Sequence, residues 1–149
     1  MTGQQLKEYC DAEFENIDAV IAELFSVVKT EVAGYSVPEL AAIATFIHNF
    51  YNGIENILKR TLAFKQIGVK DSSTWHKDLL KASADMGAIS NDLYDTLLIY
   101  LSFRHFFVHA YSFTLQWEEI KPLAEDIQGT LGKFKSAIYD YINKLDQIS

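Results

Sequence analysis

The sequence predicts an all-α protein, an up-and-down bundle of four to five helices forming a single domain over residues 1–149. Three observations predict it. Apolar side chains recur at spacings of three and four, the period of a helix. Only two prolines and seven glycines interrupt the 149 residues. Apolar residues make up 49% and charged residues 22%, with no low-complexity tract, so one core can form and extended disorder is not expected.

The first helix is expected over about residues 4 to 33. It carries Leu6, Ile17, Val20, Ile21, Leu24, Val27, Val28 and Val32 inward, and Gly34 should end it. Ser36 starts a second helix, with Pro38 in its first turn and Glu39 three residues after the cap, the pattern of a capping box. That helix should run to about Gln66, before Gly68. Residues 68 to 74 combine glycine with small hydroxyl residues and read as a loop, in which Ser73 or Thr74 caps a short helix from Trp75 to about Asp85. After a break at 86 to 90, Ser90 caps a fourth helix expected over about 91 to 115. A fifth begins near Trp117, with Pro122 close to its start, and reaches about Leu145. Gly129 and Gly132 lie inside it, each costing about 1 kcal/mol relative to alanine, so a bend or a split is an open alternative.

Composition narrows the function. The net charge of −7 opposes indiscriminate binding to a phosphate backbone, so any nucleic-acid contact must be local. The groupings Lys59, Arg60, Lys65 and Lys70, and Lys133 with Lys135, read as solvated helix faces. Cys10 is the single cysteine, which excludes an intrachain disulfide and a thiolate metal cluster. The polar start and the absence of a long apolar run predict a cytoplasmic protein with no membrane association. Ten Phe, eight Tyr and two Trp supply much aromatic volume, concentrated on the second and fourth helices. It either fills the core or faces another subunit.

Residues 104 to 111, Arg-His-Phe-Phe-Val-His-Ala-Tyr, hold the strongest candidate for chemistry. On a helix of about 100° per residue, His105 and His109 lie one turn apart, Tyr111 lies within about 20° of Arg104, and His109 lies about 140° from Arg104. Arg104 and His109 therefore do not stack. A symmetric homodimer would gather two copies of each into one cleft. Arginine and histidine without a carboxylate cluster or cysteine suit metal-independent RNA cleavage by the 2′-hydroxyl. An imidazole such as His109 moves the proton, the Arg104 fork stabilises charge on the phosphate, and His105 supports them. DNA, lacking that hydroxyl, should be inert. The plainer reading is that a histidine on an aromatic helix is a core or interface residue. Metal chemistry fits poorly. A zinc protease helix needs Glu directly after the first histidine, where Phe106 stands. A di-iron bundle needs Glu three residues before His, and Thr45, Ser73, Ser102 and Phe106 occupy those places. No cofactor is expected. Asn52 and Glu55 share one side of the second helix and are candidate cleft residues, with surface or capping roles equally open; His76 beside Trp75 reads as structural.

Arg104, four intervening residues, His109 and then Tyr111 resemble the signature of the HEPN superfamily, in particular the HepT-like ribonuclease toxins. The resemblance extends to Phe-Tyr-Asn-Gly-Ile-Glu-Asn-Ile-Leu at 50 to 58, Trp-His-Lys-Asp-Leu-Leu at 75 to 80 and Tyr-Ser-Phe-x-Leu-x-Trp at 111 to 117. It implies a helical homodimer whose facing Arg104 and His109 residues form a ribonuclease site. It also implies pairing with a small nucleotidyltransferase antitoxin, which in some members adds AMP to the tyrosine matched by Tyr111. An alternative within the same fold is a non-catalytic, nucleotide- or substrate-binding partner of a nucleotidyltransferase. Such proteins generally lack the intact Arg/His pair.

Overall fold

The computed structural model describes residues 1–29, 34–111 and 114–148. Five helices follow one another, α1 (Gly3–Val27), α2 (Val37–Phe64), α3 (Trp75–Asp85), α4 (Asn91–His109) and α5 (Trp117–Ile148), with no strand among the described residues. Local chemistry sets most of the starts. Ser36 and Glu39 exchange side-chain and backbone hydrogen bonds at the head of α2, Thr2 and Gln5 do the same for α1, and the Ser90 hydroxyl accepts from the Leu93 amide at α4.

Packing fixes the topology. Along α2, Gly53 faces Ile17, Asn56 reaches Glu13 at 3.5 Å and Arg60 lies over the Tyr9 ring at 4.3 Å, so α1 and α2 run antiparallel. The Phe14 and Phe134 rings meet at 5.9 Å, Lys135 bonds Asp18 at 3.0 Å and the Tyr139 hydroxyl donates to Asp11, which sets α5 antiparallel to α1. Phe50 meets Tyr100 at 5.2 Å and His48 stacks on Phe107 at 4.9 Å, which sets α4 antiparallel to α2. The buried Tyr100 hydroxyl donates to the Leu123 carbonyl at 2.8 Å and ties α4 to α5. Helices α1, α2, α4 and α5 thus surround one core in up-and-down order, and α3 packs against α2 and α4. Cys10 lies inside this core, where burial pushes its thiol up to about 12. No described helix is long and apolar enough to cross a membrane.

Two helix ends depart clearly from expectation. Helix α1 ends at Val27 rather than near 33, and Val28 is already extended. Two consecutive β-branched residues weaken the helix there, and the Tyr35 hydroxyl accepts from the Lys29 amide at 2.8 Å, giving that donor a partner outside the helix. Gly34 does adopt a positive φ of 143°, but as part of the connection. Val32, expected to face inward, lies outside the described residues. Helix α4 ends at His109 rather than near 115, with Ala110 extended. Downstream, the Thr114 hydroxyl donates to the Tyr111 carbonyl at 2.6 Å, a local bond that competes with helical continuation. Helix α5 runs unbroken through Gly129 and Gly132. At α3, Thr74 stands in the N-cap position, but its side chain bonds Asp78 rather than capping. Three members of the basic groupings make local contacts: Lys59 lies over the Trp75 ring, and Arg60 and Lys135 are engaged as above.

Candidate functional site

Helix α4 is apolar on nearly every side, yet only one side has cover. Leu93, Leu97, Tyr100 and Phe103 are buried toward α2, α3 and α5. On the opposite side Ile99 and Phe106 are exposed, and toward the C-terminal end Val108 and Tyr111 join them, at 58%, 40%, 48% and 72% respectively. A globular helix normally turns its polar face to solvent, and this outer face departs from that pattern.

Arg104 falls in the inner sector. At 100° per residue it sits between Leu97 and Tyr100 on the helical wheel. The residue is half-buried, and its Nε is fully buried with no hydrogen-bond partner. The terminal nitrogens, which also make no hydrogen bond among the described residues, are not among the buried unpartnered atoms, so the fork reaches the surface while its neck is enclosed. His48 and Tyr51 of α2 both feel the Arg104 charge. Burial first, and the Arg104 charge second, hold His48 below the usual imidazole value, while Glu55 pulls it upward. Burial, with the Glu55 carboxylate adding to it, raises the Tyr51 phenol, which therefore remains a donor at any ordinary pH. The Tyr51 hydroxyl is close to Glu55 but has no partner at full hydrogen-bond geometry. Glu55 is itself buried and accepts from His76 Nδ1 at 2.7 and 3.0 Å.

His105 and His109 lie outside this cluster. Both are exposed, with ring centroids 4.7 Å apart, and they line an open groove of about 490 Å³ with Ser102, Phe106, Ala110, Tyr111 and Thr114. Among the described residues no hydrogen bond links Arg104 to His109, and within the chain they lie about 140° apart around α4, one half-buried and the other exposed. Tyr111 does not share the Arg104 face, because the helix has ended before it; it lines the histidine groove instead. Asn52 is half-buried on α2 and makes no hydrogen bond to the cluster, whereas Glu55 is central to it. No group of three or more His, Cys, Asp or Glu side chains among the described residues is arranged to hold a metal ion.

The family model described as HepT-like protein matches residues 42–145, from the first turns of α2 to near the end of α5. The chain belongs to the HepT-like family. All the residues above fall inside the matched region, and α1 lies outside it. No curated protein and no solved structure matches this HepT-like chain.

Sequence reasoning did not single out His48 and Tyr51, and it read His76 as structural without naming Glu55 as its partner. A signal existed for part of this: His48, Tyr51 and Glu55 recur at spacings of three and four, which places them on one side of α2. Nothing in the sequence pairs that side with Arg104 or with His76, since those contacts cross helices.

Proposed function

We propose that this HepT-like protein is a metal-independent endoribonuclease toxin that acts as a symmetric homodimer. His109 takes the 2′-hydroxyl proton or protonates the leaving oxygen, Arg104 stabilises the charge gathering on the phosphate, and His105 supports His109. The outer face of α4 carries the reading. Two exposed histidines share a groove with an exposed phenylalanine and tyrosine, where an isologous contact would cover the apolar surface and bring in a second set of the same residues. A second copy also supplies what one protomer lacks, an arginine fork and an imidazole on one phosphate.

Regulation follows from the same groove. A nucleotidyltransferase antitoxin in the cytoplasm is the proposed partner, with Tyr111 as acceptor of the transferred AMP. Its high exposure makes it accessible, and an added nucleotide would cover His105 and His109 and repel RNA.

The test is cleavage of RNA and of matched DNA by purified protein in EDTA, wild type beside His109→Ala, with native mass measured on both. Cleavage of RNA alone by a wild-type dimer, lost in an equally dimeric variant, is the expected result. RNA left intact by both, after any antitoxin or tyrosine modification is removed, would transfer the protein to the non-catalytic nucleotidyltransferase partners.

A further inference from the structure

His105 and His109 are exposed neighbours one turn apart on α4, and their ring centroids stand 4.7 Å from each other. Helical side chains lean toward the N-terminus, which brings the His109 ring back over that of His105. Neither imidazole makes a hydrogen bond among the described residues, so each keeps a nitrogen lone pair uncommitted. The other two histidines are placed differently. His76 is committed to Glu55, and His48 stacks on Phe107 with its Nδ1 buried.

Adjacent imidazoles are ligands that suit Zn²⁺ and its neighbours among the divalent transition ions. With metal–nitrogen bonds of about 2.0–2.1 Å, two imidazoles in neighbouring positions of one ion have ring centres roughly 4.5–5 Å apart. The observed separation falls in that range, so small rotations of two exposed rings suffice to close a chelate, with no change in the helix. The surroundings favour a cation as well. His109 is the last residue of α4, where the helix dipole presents partial negative charge. No lysine or arginine lines the groove, and the chain carries a net charge of −7. At about 490 Å³ the open groove has room for the water that fills the remaining coordination positions. No third ligand of the His, Cys, Asp or Glu type is arranged beside the pair among the described residues, so the ion is held by two protein nitrogens and can leave again.

We propose that His105 and His109 form a two-imidazole site for a divalent transition ion of the zinc class, and that its occupation blocks RNA cleavage. Coordination takes up the lone pairs on which proton transfer by His109 depends. The metal-enzyme patterns that the chain lacks do not bear on this site, because a blocking chelate needs neither a general base beside the ion nor a second metal. The block rests on the ribonuclease reading above; the binding of the ion does not.

The chain contains four histidines, so the imidazole signals in a proton–nitrogen NMR spectrum can each be assigned. Titration with Zn²⁺ should shift the His105 and His109 signals together and leave those of His48 and His76 in place. In His105→Ala, an exposed change that should keep the methyl spectrum and native mass, the His109 signal should respond only at about 100-fold higher Zn²⁺, because one arm of the chelate is gone. On RNA, Zn²⁺ at the concentration that saturates the wild-type shift should lower kcat by about 100-fold or more, and EDTA should restore it. The ratio of rates with and without the ion should return close to one in His105→Ala. Signals of His105 and His109 that stay in place, or a His109 response at the same concentration in His105→Ala, overturn the site. Shifted signals with undiminished cleavage overturn the block. If the chain cleaves no RNA in the absence of the ion, the ribonuclease reading fails by itself, and the imidazole shifts still decide whether the pair binds metal.

Discussion

The inner and outer sides of α4 make a useful comparison, because they belong to one helix and have similar apolar content. The inner side is closed by α2, α3 and α5, and its one cation, Arg104, has its Nε enclosed with no hydrogen-bond partner among the described residues. The outer side carries its two imidazoles and its aromatic residues in the open. Polar chemistry on the inner side is enclosed by intrachain packing, while that on the outer side lies open and is where the proposed second copy would dock. The proposed catalytic pair is split between the two, so neither side can act alone.

The largest effect should come from His109→Ala. Removing a proton-transfer group costs roughly 10²- to 10⁴-fold in kcat, whereas unfolding should move by no more than about 0.5 kcal/mol, as for other exposed positions. Cleavage assays beside urea melts check both halves, and a strongly destabilised variant would erase the contrast between the sides.

Leu97 and Ile99, two residues apart, sharpen it further. Leu97 is wholly buried and Ile99 largely exposed, so Leu97→Ala should lose about 2–5 kcal/mol and Ile99→Asp should leave monomer stability almost unchanged while shifting native mass from dimer to monomer. Equal destabilisation by the two, with no change in mass, would mean that the outer side is not an interface.

A third change acts on the inner cluster from behind α2. A Cβ on Gly53 would lie 2.5 Å from Ile17 Cγ1 and 2.8 Å from Cδ1, and Ile17 is buried and stiff. Gly53→Ala should therefore cost about 1–3 kcal/mol through overpacking. Because it pushes α2, it should also disturb the Glu55–His76 pair, visible as altered histidine chemical shifts, and leave the His105–His109 pair unaffected.

The smallest effect is on pH dependence. His48, stacked on Phe107, titrates below its ordinary value in the folded protein because of burial first and the Arg104 charge second. In the window between that lowered value and about 6.5 the unfolded chain holds a proton that the native one does not, so stability rises with pH there. Its contribution is complete above about pH 6.5 and is lost as pH falls through the folded value. Denaturant midpoints at several pH values should show a shallower acid slope in His48→Gln than in wild type.

Much of the fold was legible because its signals are local. The Ser36–Glu39 capping box, the Trp75–Asp85 helix and the Ser90 cap are contacts between residues three or four apart, and all appear as read. The two misplaced helix ends had non-local or competing causes: a tyrosine hydroxyl reaching back to Lys29, and a threonine hydroxyl bonding the Tyr111 carbonyl. Aromatic content left core and interface open, and the structure divides it, with Phe50, Tyr51, Tyr100 and Phe103 buried and Phe106 and Tyr111 exposed. Phe113 lies outside the described residues.

For the site, the sequence by itself determined the residue types, the 140° separation of Arg104 from His109 and the adjacency of His105 to His109, because helical periodicity follows from covalent geometry and backbone hydrogen bonding alone. Tertiary structure decided which side of α4 was covered. It enclosed the neck of Arg104, paired Glu55 with His76 across two helices, and moved Tyr111 off the arginine face into the histidine groove. Those outcomes depend on which helices meet and where each one stops, and contacts between residues 21 or more positions apart leave no period in the chain to be read.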